Sequence, residues 1–320
     1  MKRVRAAHRA RRQREIALGY AFLAPAFILL LVFEFFPIFY GMYISSCDWR
    51  LRCVSFVGLR NYVQALNDPD AWHSLLITAT YAFISIPVQL VLGLFIAHLL
   101  FQRIRGRPVF RLIYFLPYIT SSVAAAAVWG YLYSPDQGPI NAVIEVVGLQ
   151  PLRWLGEPQG IFALIAGDFG MALPGWADGP SLALLALIIF TTWVFTGYSI
   201  TIFLAGLANI PKELNEAARV DGASGWQVFR LITLPLLSPT TYFLLVFTII
   251  GTFKEFNHVY VLTQGGPSDS TMTAGIYIFN QLYSLNRYGY SAALSFLLFF
   301  VILVLTVLQN RFLGRRVVYG

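Results

Sequence analysis

The sequence predicts an all-α polytopic membrane protein with six transmembrane helices, and three observations carry that expectation. Of 320 residues, 58% are hydrophobic and 12% charged, whereas an ordinary soluble domain is roughly 25% charged. Six apolar runs, near residues 16–45, 72–100, 108–133, 181–208, 236–262 and 290–312, are each long enough to cross a hydrocarbon core of about 30 Å, which takes about 20 residues of helix. The basic residues lie between these runs rather than on a water-exposed face beside base-stacking aromatics. The net charge of +8 therefore reports membrane orientation, and nucleic acid is excluded as a partner.

The first run follows a basic stretch, as a secretory signal would. Its apolar length exceeds the roughly 7–15 residues of a signal core and no small-x-small cleavage site follows, so it reads as a retained anchor. Glu34 within it is placed near the outer headgroups. Cys47 and Cys53 open the next loop, in CDWRLRC. Spacing alone leaves two readings, a small disulfide ring in an oxidising exterior or two unpaired thiols. Pro25, Pro37, Pro87, Pro117 and Pro239 fall inside runs, where neighbouring helices can satisfy the backbone groups they free, so kinks are expected rather than ends.

Orientation follows from Lys and Arg, which collect on cytoplasmic flanks. With the N-terminus inside, residues 1–15, 102–112, 209–231 and 309–320 hold 17 of the 23 Lys and Arg on the cytoplasmic side. Arg50, Arg52, Arg60, Arg153 and Arg287 lie outside, and Lys254 falls within a span. Both termini are then cytoplasmic, and Trp49, Trp72, Trp129, Trp154 and Trp176 gather toward the outer interface, where amphipathic rings prefer to sit. The apolar stretch 159–176 carries Asp168 and several glycines. If it crossed, every later loop would change sides against the charge bias, so it is read as an interfacial or partly re-entrant outer segment.

The loop after the fourth run, residues 209–235 (NIPKELNEAARVDGASGWQVFRLITLP), is more structured than a linker needs to be. Pro211 suits the first position of a helix, with Glu213 and Glu216 in its early turns where the dipole favours acids. Gly222 supplies the positive φ that stops such a helix. Ser224 and Gln227 have capping-box spacing for a second short helix, which Pro235 hands to the fifth span. The product is a cytoplasmic helix–turn–helix.

Glu216-Ala217-Ala218, then Gly222, then Ile232-Thr233-Leu234-Pro235 resembles the complete EAA loop of binding-protein-dependent ABC importer permeases. Residues 56–62 (FVGLRNY), 115–117 (FLP) and 260–267 (YVLTQGGP) are similar to stretches of carbohydrate-importer permeases of the maltose and glycerol-phosphate type. The resemblance runs from about residue 18 to 312. It implies a permease core over 72–312, preceded by the basic N-terminus, first span and outer loop (1–71) and followed by a cytoplasmic tail (313–320). Residues 158–180 are roughly twenty more than relatives carry there, and contact with the external binding protein is the role expected of them.

The same resemblance implies partners: a second homologous permease, usually a different chain, two ATP-binding subunits and an extracytoplasmic solute-binding protein, in a bacterial or archaeal plasma membrane. It assigns Glu216 to polar contact with a groove of the ATPase, Ala217 and Ala218 to close approach, and Gly222 to the turn. It also places the sugar path between the helices flanking the loop, at Thr191, Val194, Phe195, Tyr198, Thr248, Gly251, Thr252 and Glu255. Each set of four shares a helix face by the i, i+3, i+4, i+7 rule. Hydroxyl and carboxylate groups there suit sugar hydroxyls and a ring suits the C–H face. Thr191 and Thr248 have an alternative, back-bonding to their own helices. Glu255 in a span needs a partner, and Lys254 or His258 is at hand.

No catalytic residue, metal site or cofactor is expected in the chain itself. Its three lysines, Lys2, Lys212 and Lys254, lie in no GxxxxGK[ST] loop, so ATP and Mg belong to the partner subunits. Neither HExxH nor GxSxG occurs. Two other classes stay open: an ion-coupled secondary transporter with Lys254, Glu255 and His258 as a proton relay, and an ABC permease for a non-sugar solute.

Overall fold

A computed structural model describes residues 2–50, 52–102 and 105–317, with the side chains of all but 2–11, 168, 176 and 316. Lys2, Arg3, Arg5, Arg9, Arg11, Arg103, Asp168, Trp176 and Arg316 therefore lie outside the side chains described. The chain is 74% helical. Among the described residues four helices are long and apolar enough to cross a membrane, Arg12–Ser45, Pro69–Phe101, Leu182–Ala208 and Tyr288–Phe312, or up to six if two bent pairs each count as one span.

α1 (Lys2–Leu30) runs through a π-helical turn, Leu31–Phe35, into α2 (Phe36–Ser45). A wide turn just ahead of Pro37 relieves the clash of the proline ring with the carbonyl four residues back, so the helix continues. After it comes a departure from the all-α expectation: β1 (Cys47–Trp49) pairs antiparallel with β2 (Cys53–Phe56). Cys47 and Cys53 are disulfide-bonded across this hairpin with Cα atoms 5.4 Å apart, which selects the ring over free thiols. Asn61, on α3 (Arg60–Leu66), donates to the carbonyls of Ser45 and Cys47 at 2.8 and 3.1 Å, tying the hairpin to its helix. These residues, up to Ala65 and joined by Gln281–Phe296, form one compact unit, and the remainder forms a second.

In the second unit α4 (Pro69–Phe101) begins with Asp68 accepting from the Asp70 amide at 3.0 Å and continues unbroken through Pro87. Its buried stripe is small and polar: Ser74, Thr78, Tyr81, Ser85, Gln89, Gly93 and Ala97. Small residues let two helix backbones approach where lipid offers no hydrophobic drive between helices. α5 (Arg107–Ile119) and α6 (Ser122–Leu132) meet at 98°. The third apolar run is thus two helices, because Pro117 removes a ladder donor and Ser121 caps a new start by accepting from the Ala124 amide at 3.5 Å.

α7 (Pro139–Val146) and α8 (Ile161–Asp168) lie in the long segment between α6 and residue 181. Eight residues of α8 span only about 12 Å, and the Ile161 amide meets the Pro180 carbonyl at 2.9 Å while the Leu182 amide meets that of Gln159 at 3.1 Å. The segment leaves and returns at one point, as a loop rather than a crossing. α9 (Leu182–Ala208) starts at a Ser181 cap and is buried along most of its length. α10 (Lys212–Val220), α11 (Gly225–Val228), a π turn at Phe229–Thr233 and α12 (Leu234–Leu236) follow. Pro211 occupies the N-cap of α10 and not the first helical position.

α13 (Ser238–Phe253) leaves the α11–α12 axis at 60° and ends before Lys254. The fifth run therefore stops short of residue 262, and α14 (Asn257–Leu262) is a separate helix after a three-residue break. α15 (Ala274–Phe279) precedes α16 (Tyr288–Phe312). One core cluster joins α4, α9 and α13 through Ile86, Leu90, Phe203, Leu207, Leu244 and Phe253.

Two glycines permit close seams along α9, Gly93 between α4 and α9 and Gly197 between α9 and α5. A Cβ on Gly93 would sit 2.7 Å from that of Ser199, and one on Gly197 would overlap the Tyr114 carbonyl oxygen. Gly93→Leu and Gly197→Val are expected to lower the thermal midpoint of the detergent-purified chain, each costing about 1–3 kcal/mol by overpacking. Gly251→Ala, where an added carbon meets nothing within 4 Å, is expected to leave that midpoint in place. An unshifted midpoint in Gly197→Val would contradict the seam.

Candidate functional site

Between α4, α9 and α13 lies a small cavity of about 50 Å³. It is lined by Thr191, Phe195, Tyr198, Thr248, Gly251, Thr252 and Glu255, which the sequence places on the path, and by Tyr81, Gln89 and Phe247, which it does not. Ligand pockets run to about 300–1,000 Å³, so this one is narrowed to room for no more than a few waters. Val194 is not brought to it. That side chain is 3% exposed and packs with Ala125, Ala126 and Phe190, because its side of α9 turns toward α6.

The polar end of the cavity is a network. Tyr81 and Thr191 share a short hydrogen bond between their hydroxyls, and both meet His258 Nε2 at 2.9 Å. On its other side His258 Nδ1 lies 3.1 Å from Glu255 Oε1, a close polar contact off the line of an aligned hydrogen bond. His258 is fully buried and the Glu255 side chain 17% exposed. Thr191 therefore spends its hydroxyl across helices, whereas Thr248 back-bonds to the Leu244 and Leu245 carbonyls at 2.7 and 3.2 Å. Of the two partners at hand for Glu255, His258 is the one in contact; Lys254 is exposed and makes no ion pair among the described residues.

The break between α13 and α14 puts that carboxylate where it can be satisfied. Glu255 Oε1 accepts from the Phe256 amide at 3.3 Å, at the start of α14. Across the cavity Gln89 Nε2 donates to Ser199 Oγ at 2.9 Å and to the Phe195 carbonyl at 3.3 Å. An aromatic wall completes the lining, with Tyr198 stacked on Tyr118 at 5.0 Å and against Phe247 at 5.1 Å. The cavity thus offers hydroxyl, amide, carboxylate and ring surfaces together. Tyr81 and Gln89 were findable in the sequence: with Ser85 they make a four-residue polar spacing inside an apolar run, and polar side chains in a span face the bundle interior.

The second candidate element is the segment between α9 and α13. α10 has no buried residue; Glu216 and Ala217 are exposed and Ala218 is half-buried. Gly222 has φ +78°. The Gly222 amide donates to the Arg219 carbonyl at 3.1 Å and the Ala223 amide to that of Ala218 at 2.9 Å, the paired bonds of a Schellman ending. Two residues on, the Ser224 amide donates to Gln227 Oε1 at 2.7 Å and the Gln227 amide to Ser224 Oγ at 3.3 Å, closing the expected capping box. Back-to-back caps hold the two helices at a fixed angle. Exposed Leu214, Val220, Trp226 and Leu231 give the surface an apolar component.

Comparison with known proteins gives a consistent result. Residues 89–318 match the family described as binding-protein-dependent transport system inner membrane component. A probable ABC transporter permease of Pyrococcus horikoshii is 34% identical over 93% of this chain and 96% of its own length. The trehalose/maltose transport system permease of Thermococcus litoralis is 33% identical over 92% of each. A chain of a bacterial alginate ABC transporter, solved with an alginate pentasaccharide-bound periplasmic protein, shares the fold with a TM-score of 0.79 at 22% identity, over 96% of this chain and 97% of that one.

The network predicts a non-additive mutant cycle. His258→Ala takes one of two partners from each buried hydroxyl and the imidazole from beside the Glu255 carboxylate, at about 1–3 kcal/mol in all. Adding Tyr81→Phe removes one of those groups and is expected to cost less than the two single changes together, read by thermal unfolding in detergent. Strict additivity would mean that the three side chains do not act as a unit.

Proposed function

The chain belongs to the family of binding-protein-dependent transport system inner membrane components, and from that membership we infer that it is the permease subunit of an ATP-driven ABC importer for a sugar or related solute. It crosses the membrane six times, with α5–α6 and α11–α13 as its two bent spans and both termini in the cytoplasm of a bacterial or archaeal cell. A second permease, two ATP-binding subunits and an extracytoplasmic binding protein complete the machine. ATP and Mg are held by the ATP-binding subunits, and this chain performs no hydrolysis.

One observation carries the mechanism. The two helices that supply most of the cavity wall, α9 and α13, are the two joined by the 209–237 segment. A displacement of α10 is therefore applied to both walls of the cavity at once. Glu216 and Ala217, on the exposed face, meet the ATP-binding subunit; Ala218 and Gly222 hold the corner rigid. The narrowed cavity is one end of an alternating-access cycle, in which nucleotide-driven motion parts α9 from α13 and exposes Thr191, Tyr198, Thr252 and Glu255 to the solute.

A sugar suits this lining because Glu255, Gln89 and Tyr81 can exchange hydrogen bonds with hydroxyls while Phe195, Tyr198 and Phe247 cover a C–H face. The trehalose/maltose relative supports the same cargo class. A proton relay through Lys254, Glu255 and His258 is not favoured, since Lys254 stands outside the contact that His258 and Glu255 make. A non-sugar solute remains the second reading of the cargo.

Two outcomes follow in proteoliposomes carrying the assembled importer. Uptake is expected to require internal ATP and the external binding protein, and a proton gradient alone is expected to drive none; gradient-driven uptake would overturn the assignment. An added carbon at Gly222 meets nothing within 4 Å, so only its φ of +78° restricts substitution. A β-branched residue there costs roughly 1–2 kcal/mol, so Gly222→Val is expected to insert normally but lower solute moved per ATP by about tenfold. Gly222→Asn, which tolerates that backbone, is expected to retain coupling. Normal import by Gly222→Val would remove the corner from the mechanism.

A further inference from the structure

A cavity of about 650 Å³ lies within the first compact unit. Its walls come from the disulfide-closed hairpin, the start of α3, the 285–287 turn and the first residues of α16. We propose that it is a binding site for an acidic saccharide, a short chain of uronate-type sugars, on the outer face of the protein. This rests on the reading above only for which side of the membrane the cavity faces.

Size, charge and preorganisation point to that ligand. The volume is within the range of small-molecule sites, about 300–1,000 Å³, and far exceeds one phosphate. Arg50, Arg60 and Arg287 line it against a single carboxylate, Asp48, and among the described residues none of the three arginines makes an ion pair. They come from three separate segments, the hairpin, α3 and the turn before α16, so their charges suit a ligand that carries several anions. Guanidinium groups bind carboxylates through paired, parallel hydrogen bonds.

The walls are held in place before any ligand arrives. Arg287 Nη1 donates to buried Gln281 Oε1 at 3.1 Å, and its guanidinium lies 4.3 Å above the Tyr290 ring. Trp49 is fixed edge-on by Tyr40 and Tyr43 at 5.8 and 6.1 Å and presents an aromatic surface of the kind that covers sugar C–H faces. Gln64 adds an exposed amide for hydroxyl groups. Charge alone would suit any anion, but charge with an indole wall and an amide in a cavity of about 650 Å³ suits an acidic sugar chain.

The test uses the full chain in nanodiscs of zwitterionic lipid, titrated calorimetrically with trigalacturonate, maltotriose, inorganic phosphate and triglutamate. Trigalacturonate is expected to bind at least about tenfold more tightly than each of the other three, and more weakly as salt rises. Arg50→Gln/Arg60→Gln changes two exposed side chains and is expected to weaken trigalacturonate binding by about tenfold or more with an unchanged thermal midpoint. Equal binding of maltotriose, undiminished binding by the double variant, or no binding at all would overturn the proposal. Phosphate binding as tightly would mean a simple anion site, and triglutamate binding as tightly would mean a socket for acidic side chains of a protein; either result also overturns it. No ATP-binding subunit or transport step enters this measurement, so its failure is separate from a failure of the importer reading.

Discussion

The close approach of α4 and α9 is the constraint on which the second unit depends. Lipid tails are as apolar as leucine, so two helices in a membrane gain little by burying leucine against each other and must gain by contact and hydrogen bonding. Gly93 lets the Ser199 backbone come near, and Gln89 then reaches both Ser199 Oγ and the Phe195 carbonyl. Tyr81, two turns earlier on α4, meets Thr191 and His258 by the same approach. A wider seam would lose the packing and leave these polar groups unpaired in hydrocarbon.

Breaks in the other helices follow a related rule. Backbone polar groups freed at membrane depth must be satisfied within the protein or line a cavity. Each break supplies its own replacements: Thr120 and Ser121 between α5 and α6, Glu255 between α13 and α14. The break at residues 254–256 also positions function. A straight α13 would carry Glu255 onward along one helix, whereas the interrupted one turns the carboxylate toward His258 and the cavity.

What could be read from the residues depended on how local the determining interactions are. The apolar, mostly helical character of the chain and the two capped helices of the 209–235 segment were legible because hydropathy, the Ser224–Gln227 box and the Gly222 stop each act within a few residues. Whether a proline kinks or breaks a run was not, since Pro87 sits in an intact helix and Pro117 precedes a 98° corner; the difference lies in what caps the next turn. The Cys47–Cys53 ring and its β-hairpin were undecided for the same reason, spacing being compatible with either state. Tyr81 and His258 meet across 177 residues, a distance at which no sequence period operates. Val194 shared the helix phase of the path residues, but neighbours on α6 determine which part of that broad face is covered.

These features converge on the capped corner at residues 211–235, which joins the two cavity-lining helices and exposes Glu216 on a helix with no buried residue. With Cys47 and Cys53 joined, Glu216→Cys introduces the lone free thiol among the described residues. The most direct test labels that thiol with a membrane-impermeant maleimide in intact cells and in inside-out vesicles. Reaction in inside-out vesicles alone, suppressed when the ATP-binding subunits are assembled, is the expected result. Labelling of intact cells, or no protection by those subunits, would contradict it.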